Sequence, residues 1–76
     1  MTTEERVRAL VTRVLTANHR ELRGDGEKLD LDSLCVVELV DVLEGELGIR
    51  LKPQDVSAER FATLATVTAL CVERGA

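Results

Sequence analysis

The sequence is nearly free of aromatic residues: Phe61 stands alone, with no Trp and no Tyr. Surfaces that bind single-stranded nucleic acid by stacking bases on rings are therefore not expected. His19 is the only imidazole, and Cys35 and Cys71 are the only thiols. That set is too small and too scattered to build a metal cluster. No apolar run approaches the ~18 residues needed to span a membrane. Polar residues follow Met1 at once, so no secretory leader is expected. Two cysteines could form one disulfide, but without a leader a reducing cytosol is the better expectation, and the chain is read as soluble and cytoplasmic.

What is present is aliphatic and acidic. The 76 residues include 34 hydrophobic ones, among them 12 Leu and 10 Val. A core of branched aliphatics without rings points to a compact helical bundle. A chain this short is read as one domain, residues 1–76, with a single core. The net charge of −4 is unevenly spread. Residues 1–24 carry five Arg against three Glu, whereas residues 25–59 carry ten acidic residues against Lys28, Arg50 and Lys52. An acidic middle repels phosphate backbones and steers basic partners toward it, so neither DNA nor RNA is an expected ligand.

Thr2 and Glu5 have the spacing of a capping box, and Val7, Leu10, Val11, Val14 and Leu15 follow as an amphipathic stripe. A first helix is predicted over 3–17, with Arg6, Arg8 and Arg13 on its outer side. Residues 18–31 form a long polar connection with a turn signal at Gly24-Asp25-Gly26, and Leu22, Leu29 and Leu31 should fold it back over the bundle. Asp32 is a favoured N-cap for a second helix running to about residue 47, where Gly48 can end it. Leu34, Val37, Val40 (with Leu39), Leu43 and Leu47 are taken as its broad apolar face. Pro53 is expected to begin a turn or a short helical start, Ser57 to cap a brief helix over about 57–61, and Thr63 a last helix with Leu64, Val67, Leu70 and Cys71 buried. The predicted fold is all-α: a small four-helix bundle of three longer helices and one short one.

Asp32-Ser33-Leu34 is the sharpest local feature. It places a hydroxyl at the positive end of a helix dipole, where first-turn amides favour a negative group such as a phosphate. Ser33 has no evident general base, and the chain lacks the bulk to enclose a substrate pocket, so an attachment point fits better than a nucleophile. On the residues alone, a serine beside a helix cap is an ordinary structural feature, and that reading stays ahead.

Leu31-Asp32-Ser33-Leu34, followed by Val37-Glu38-Leu39-Val40, Leu43-Glu44 and Leu47-Gly48-Ile49, resembles the acyl carrier and thiolation-domain family. The resemblance covers nearly the whole chain and extends to Phe61, Thr63-Leu64 and Val67. It implies an acyl-carrier-like bundle in which Ser33 bears a covalent 4'-phosphopantetheine arm, taken from coenzyme A by a phosphopantetheinyl transferase. Asp32 would serve as helix cap and transferase contact. The arm's thiol would carry an intermediate as a thioester, and the carrier would do no chemistry of its own. Glu38, Asp41 and Glu44, at about one-turn spacing, would face basic patches on the transferase, on acyl- or aminoacyl-loading enzymes and on synthases. Leu34 would form part of the docking rim or of the core, with the two readings evenly balanced.

Other positions are read more simply. Cys35, where the family often has a polar residue, is taken as a partly exposed bystander with some risk of oxidative dimers. Cys71 is a core filler and His19 a solvated loop residue. Asp30 stands where many relatives carry Gly. The first expectation is a discrete monomeric carrier in bacterial polyketide or related secondary metabolism, since Cys35, Val36 and Gly45 interrupt the acidity that a fatty-acid carrier would show. A peptidyl or aminoacyl carrier of nonribosomal peptide assembly is the alternative. An unmodified acidic adaptor is the second, and the intact Asp-Ser-Leu weighs against it.

Overall fold

The computed structural model describes residues 2–24 and 26–76, and within them the regular secondary structure is helical apart from one isolated pairing of Lys28 with Thr63. Helix α1 spans Thr3–Ala17. Its capping box forms as predicted, with the Glu5 N–H donating to Thr2 Oγ1 at 3.1 Å and the Thr2 N–H to Glu5 Oε1 at 3.4 Å. Val7, Leu10, Val11, Val14 and Leu15 are all buried.

The end of α1 reverses sharply. The His19 N–H donates to Thr16 O at 3.1 Å and the Arg20 N–H to Leu15 O at 2.8 Å, the paired bonds of a Schellman motif. The left-handed position is taken by His19, with φ 61°, where glycine is usual. The connection that follows is held down by buried Leu29 and half-buried Leu22 and Leu31. Asp25, at the centre of the expected Gly24-Asp25-Gly26 turn, lies outside the described residues.

Helix α2 spans Ser33–Leu47, with Asp32 as N-cap and Gly48 ending it at φ 66°. Its buried face is Cys35, Leu39 and Leu43, flanked by half-buried Val36, Val40, Val42 and Leu47. The predicted stripe was partly misplaced, because Leu34 is 70% and Val37 65% exposed. Four consecutive apolar residues at the start of α2 allow two registers. The observed one leaves Leu34 and Val37 roughly 140° and 160° from the centre of the buried stripe, at about 100° per residue. Cys35 is correspondingly buried rather than a partly exposed bystander.

The brief fourth helix expected at 57–61 does not form as a helix. The regular element here is a 3-10 turn, Pro53–Asp55, and residues 57–61 make a single turn in which the Phe61 N–H donates to Ser57 O at 3.0 Å. Ser57 still caps that turn, its Oγ accepting from the Arg60 N–H at 3.2 Å. Proline opens the 3-10 turn and Asp55 closes it by accepting from the Lys52 N–H, which ends regular structure before Ser57 is reached.

Helix α3 spans Leu64–Glu73. Thr63 caps it, and Thr66 answers with its own hydroxyl in the place that Glu or Gln usually takes. Helix α1 packs against both α2 and α3. Leu64, Val67, Leu70 and Cys71 of α3, with Phe61, complete the core.

Candidate functional site

Ser33 occupies the first position of α2 and is exposed to solvent. Asp32 fixes the helix start, its Oδ1 accepting from the Cys35 N–H at 2.9 Å. Its Oδ2 accepts from Arg20 Nη2 at 3.0 Å. The Cys35 amide bond, more than the Arg20 charge, holds the Asp32 carboxyl below its ordinary value and so keeps it ionised. Among the described residues the Ser33 hydroxyl itself makes no hydrogen bond.

A partly open groove of about 560 Å3 lies beside the serine. Leu31, Val36 and Val37 line it on the α2 side, and Val56, Ala58 and Phe61 on the side of the segment before α3. The two sides are tied together by the Leu29 N–H, which donates to Ala62 O at 2.7 Å. The groove is larger than the chain's size led us to expect, but it is open rather than enclosed. Lys28 and Asp32 are the charged residues that line it, and no imidazole does. His19 instead borders a separate small depression with Arg20, Glu21 and Asp30. Among the described residues the carboxylate beside Ser33 is that of Asp32, whose oxygens accept from the Cys35 N–H and from Arg20. No group of three metal-ligating side chains occurs among the described residues.

The setting suits a phosphodiester-linked arm. The hydroxyl is accessible, the first turn of α2 places its dipole's positive end there, and Lys28 adds a cation at the groove's edge. The apolar lining offers a place for an uncharged chain to lie.

The remaining expected site residues fall on the outer side of α2. Leu34, Val37, Asp41 and Glu44 follow one another along that face, and Glu38 stands at its edge. Glu38 accepts from Asn18 Nδ2 at 3.3 Å. Glu44 is half-buried, and its carboxylate accepts from the Leu51 N–H at 2.8 Å, which fastens the chain after α2. The sequence did not single out Arg20, and it placed Val37 on the apolar face of α2, whereas Val37 is exposed. Arg20 lies ten and twelve residues from its partners across a loop, so no helical or strand period points to it.

The phosphopantetheine attachment site model matches residues 5–71, and the chain belongs to this family of acyl carrier and thiolation domains. It is thus a phosphopantetheine-carrying carrier protein, a type of domain that is in general not catalytic. No curated protein and no solved structure matches the chain. Among the described residues no helix is long and apolar enough to cross a membrane.

Proposed function

We propose that residues 1–76 form a single carrier domain whose arm is attached at Ser33 and which presents thioester-linked intermediates to a succession of enzymes. The observation that carries the reading is the exposed, unbonded Ser33 hydroxyl at the first position of α2, next to an apolar groove. The arm supplies the thiol that holds the cargo. Asp32 keeps the first turn of α2 closed so that Ser33 faces outward, Lys28 offsets negative charge at the attachment point, and the groove shelters apolar chain from water.

Partner enzymes, the phosphopantetheinyl transferase first among them, dock on the outer side of α2 in this reading. Leu34 and Val37 give an apolar contact beside the serine, and Glu38, Asp41 and Glu44 orient basic patches. Such contacts favour rapid, reversible encounters over tight binding. The pathway proposed is polyketide or related secondary metabolism, on the ground that Cys35, Val36 and Gly45 interrupt the acidity of α2.

The test is intact mass after incubation with coenzyme A, magnesium and a broad-specificity phosphopantetheinyl transferase, alongside Ser33→Ala. The expected result is one phosphopantetheine gained by the parent chain and none by the variant. A folded parent chain that gains nothing from several transferases would sink the reading. Loading of the modified chain by acyl-transferring rather than amino-acid-adenylating enzymes tests the pathway.

A further inference from the structure

We infer that Arg20 is the positioning residue of the attachment site, fastening the carboxylates of Asp30 and Asp32 and so setting the direction in which Ser33 is offered. The inference rests on the reading of Ser33 as the residue that receives the arm. Arg20 Nη1 reaches Asp30 Oδ1 at 2.6 Å and Asp30 O at 3.2 Å, while Nη2 reaches Asp32 Oδ2 at 3.0 Å. The planar guanidinium holds two acidic residues in one fixed geometry, which a lysine could not do.

The clamp is rigid at both ends. Its base is fixed because the Arg20 N–H is bound to Leu15 O in the Schellman motif closed by left-handed His19. The Arg20 side chain is only 25% exposed, while the carboxylates of Asp30 and Asp32 that it holds stand 72% and 54% exposed. At the far end, the Asp32 oxygen left free by Arg20 caps Cys35, which sits buried on the core face of α2. A continuous chain of bonds thus runs from the last turn of α1, through Arg20 and Asp32, to the first turn of α2. Without Arg20, Asp32 would be free to leave its capping rotamer, and the peptide bearing Ser33 would loosen with it. The clamp also gives Asp30 a role.

The experiment compares Arg20→Gln, Arg20→Lys and Asp30→Asn with the parent chain in two measurements. One is steady-state transfer of phosphopantetheine from coenzyme A by a transferase with magnesium. The other is amide hydrogen exchange at Cys35. For Arg20→Gln the KM for the carrier should rise about fivefold with kcat within about twofold, and Cys35 exchange should quicken by a similar factor. Core amides such as Leu43 should keep their parental exchange, which a general loss of stability would not allow. Arg20→Lys should fall between, and a double variant that adds Asp30→Asn to Arg20→Gln should match Arg20→Gln in both measurements. A parental KM, or faster loading because Asp32 has been freed for the transferase, would overturn the inference. So would unchanged Cys35 exchange in Arg20→Gln, and that result holds even if the parent chain accepts no arm.

Discussion

Arg74 grips Asp55 with two nitrogens, Nε to Oδ2 at 2.8 Å and Nη2 to Oδ1 at 2.6 Å, joining the end of α3 to the 3-10 turn nineteen residues earlier. Asp55 is 4% exposed and is the buried charged residue of the described core. The Arg74 bonds first, and then the Lys52 N–H, hold its carboxyl far below the ordinary value of 3.8. A carboxyl depressed in the folded state adds stability above its unfolded value and loses it as pH falls. Thermal melts followed from about pH 5 down to about pH 2 should therefore show a falling Tm. Asp55→Asn should flatten that slope, although Asp32, which is also depressed, will leave part of it. At neutral pH the substitution should lower Tm by on the order of 10 °C, since Arg74 loses its charged partner.

Glu38 and Glu44 separate steering from structure. Glu38→Lys should slow association with the transferase several-fold at about 0.02 M salt and have little effect at about 0.5 M, with stability unchanged. Glu44→Lys should show the same salt-sensitive slowing and in addition lower stability by about 1 kcal/mol, because the Leu51 N–H loses its acceptor. Stopped-flow loading at the two salt concentrations, paired with urea unfolding, distinguishes the contributions.

Leu43 and Leu34 lie on the same helix and should behave oppositely. Leu43→Ala empties a fully buried position and should cost about 2–5 kcal/mol in urea unfolding. Leu34→Ala should cost no more than about 0.5 kcal/mol while weakening transferase loading. A large stability loss at Leu34 would mean that α2 buries the other apolar stripe.

Both thiols should be inert in the folded chain. Burial raises the Cys35 thiol above its ordinary value and pushes Cys71 up to about 11, so neither offers thiolate at neutral pH. A thiol reagent such as iodoacetamide should label them only after urea is added, and the chain should stay free of disulfide-linked dimers in air. Labelling of native Cys35 would contradict its placement in the core.

His19→Gly should stabilise the chain by about 0.5–1 kcal/mol, because the left-handed backbone strains a side chain and suits glycine. A melting curve is sufficient to check it.

Much of the fold was legible because its helices announce themselves locally. The Thr2–Glu5 box, the Asp32 cap, the Thr63 cap and Gly48 each act within four residues, and all four appear where expected. The face of α2 was harder, since Leu34 to Val37 are uniformly apolar and the choice of register is made by packing against α1. The short fourth element was misplaced because Pro53 and Asp55 claim the backbone before Ser57 can start a helix. Asp55–Arg74 and the Arg20 clamp join residues ten to nineteen positions apart through side chains alone, which periodicity cannot reveal. Asp32 could be read as a cap because a cap is a local fact, whereas Ser33 stood out as an attachment residue only through the resemblance of the surrounding motif.

The backbone hydrogen bond from the Leu29 N–H to Ala62 O that ties the two sides of the groove has a consequence for partial chains. Its donor belongs to the first half of the sequence and its acceptor to the second. A fragment ending at Gly48 would contain Ser33, its cap, its clamp and all of α2, yet only one bank of the groove. The attachment residue is thus written into the first two helices, while the shelter beside it exists only once α3 has docked and drawn the preceding segment into place.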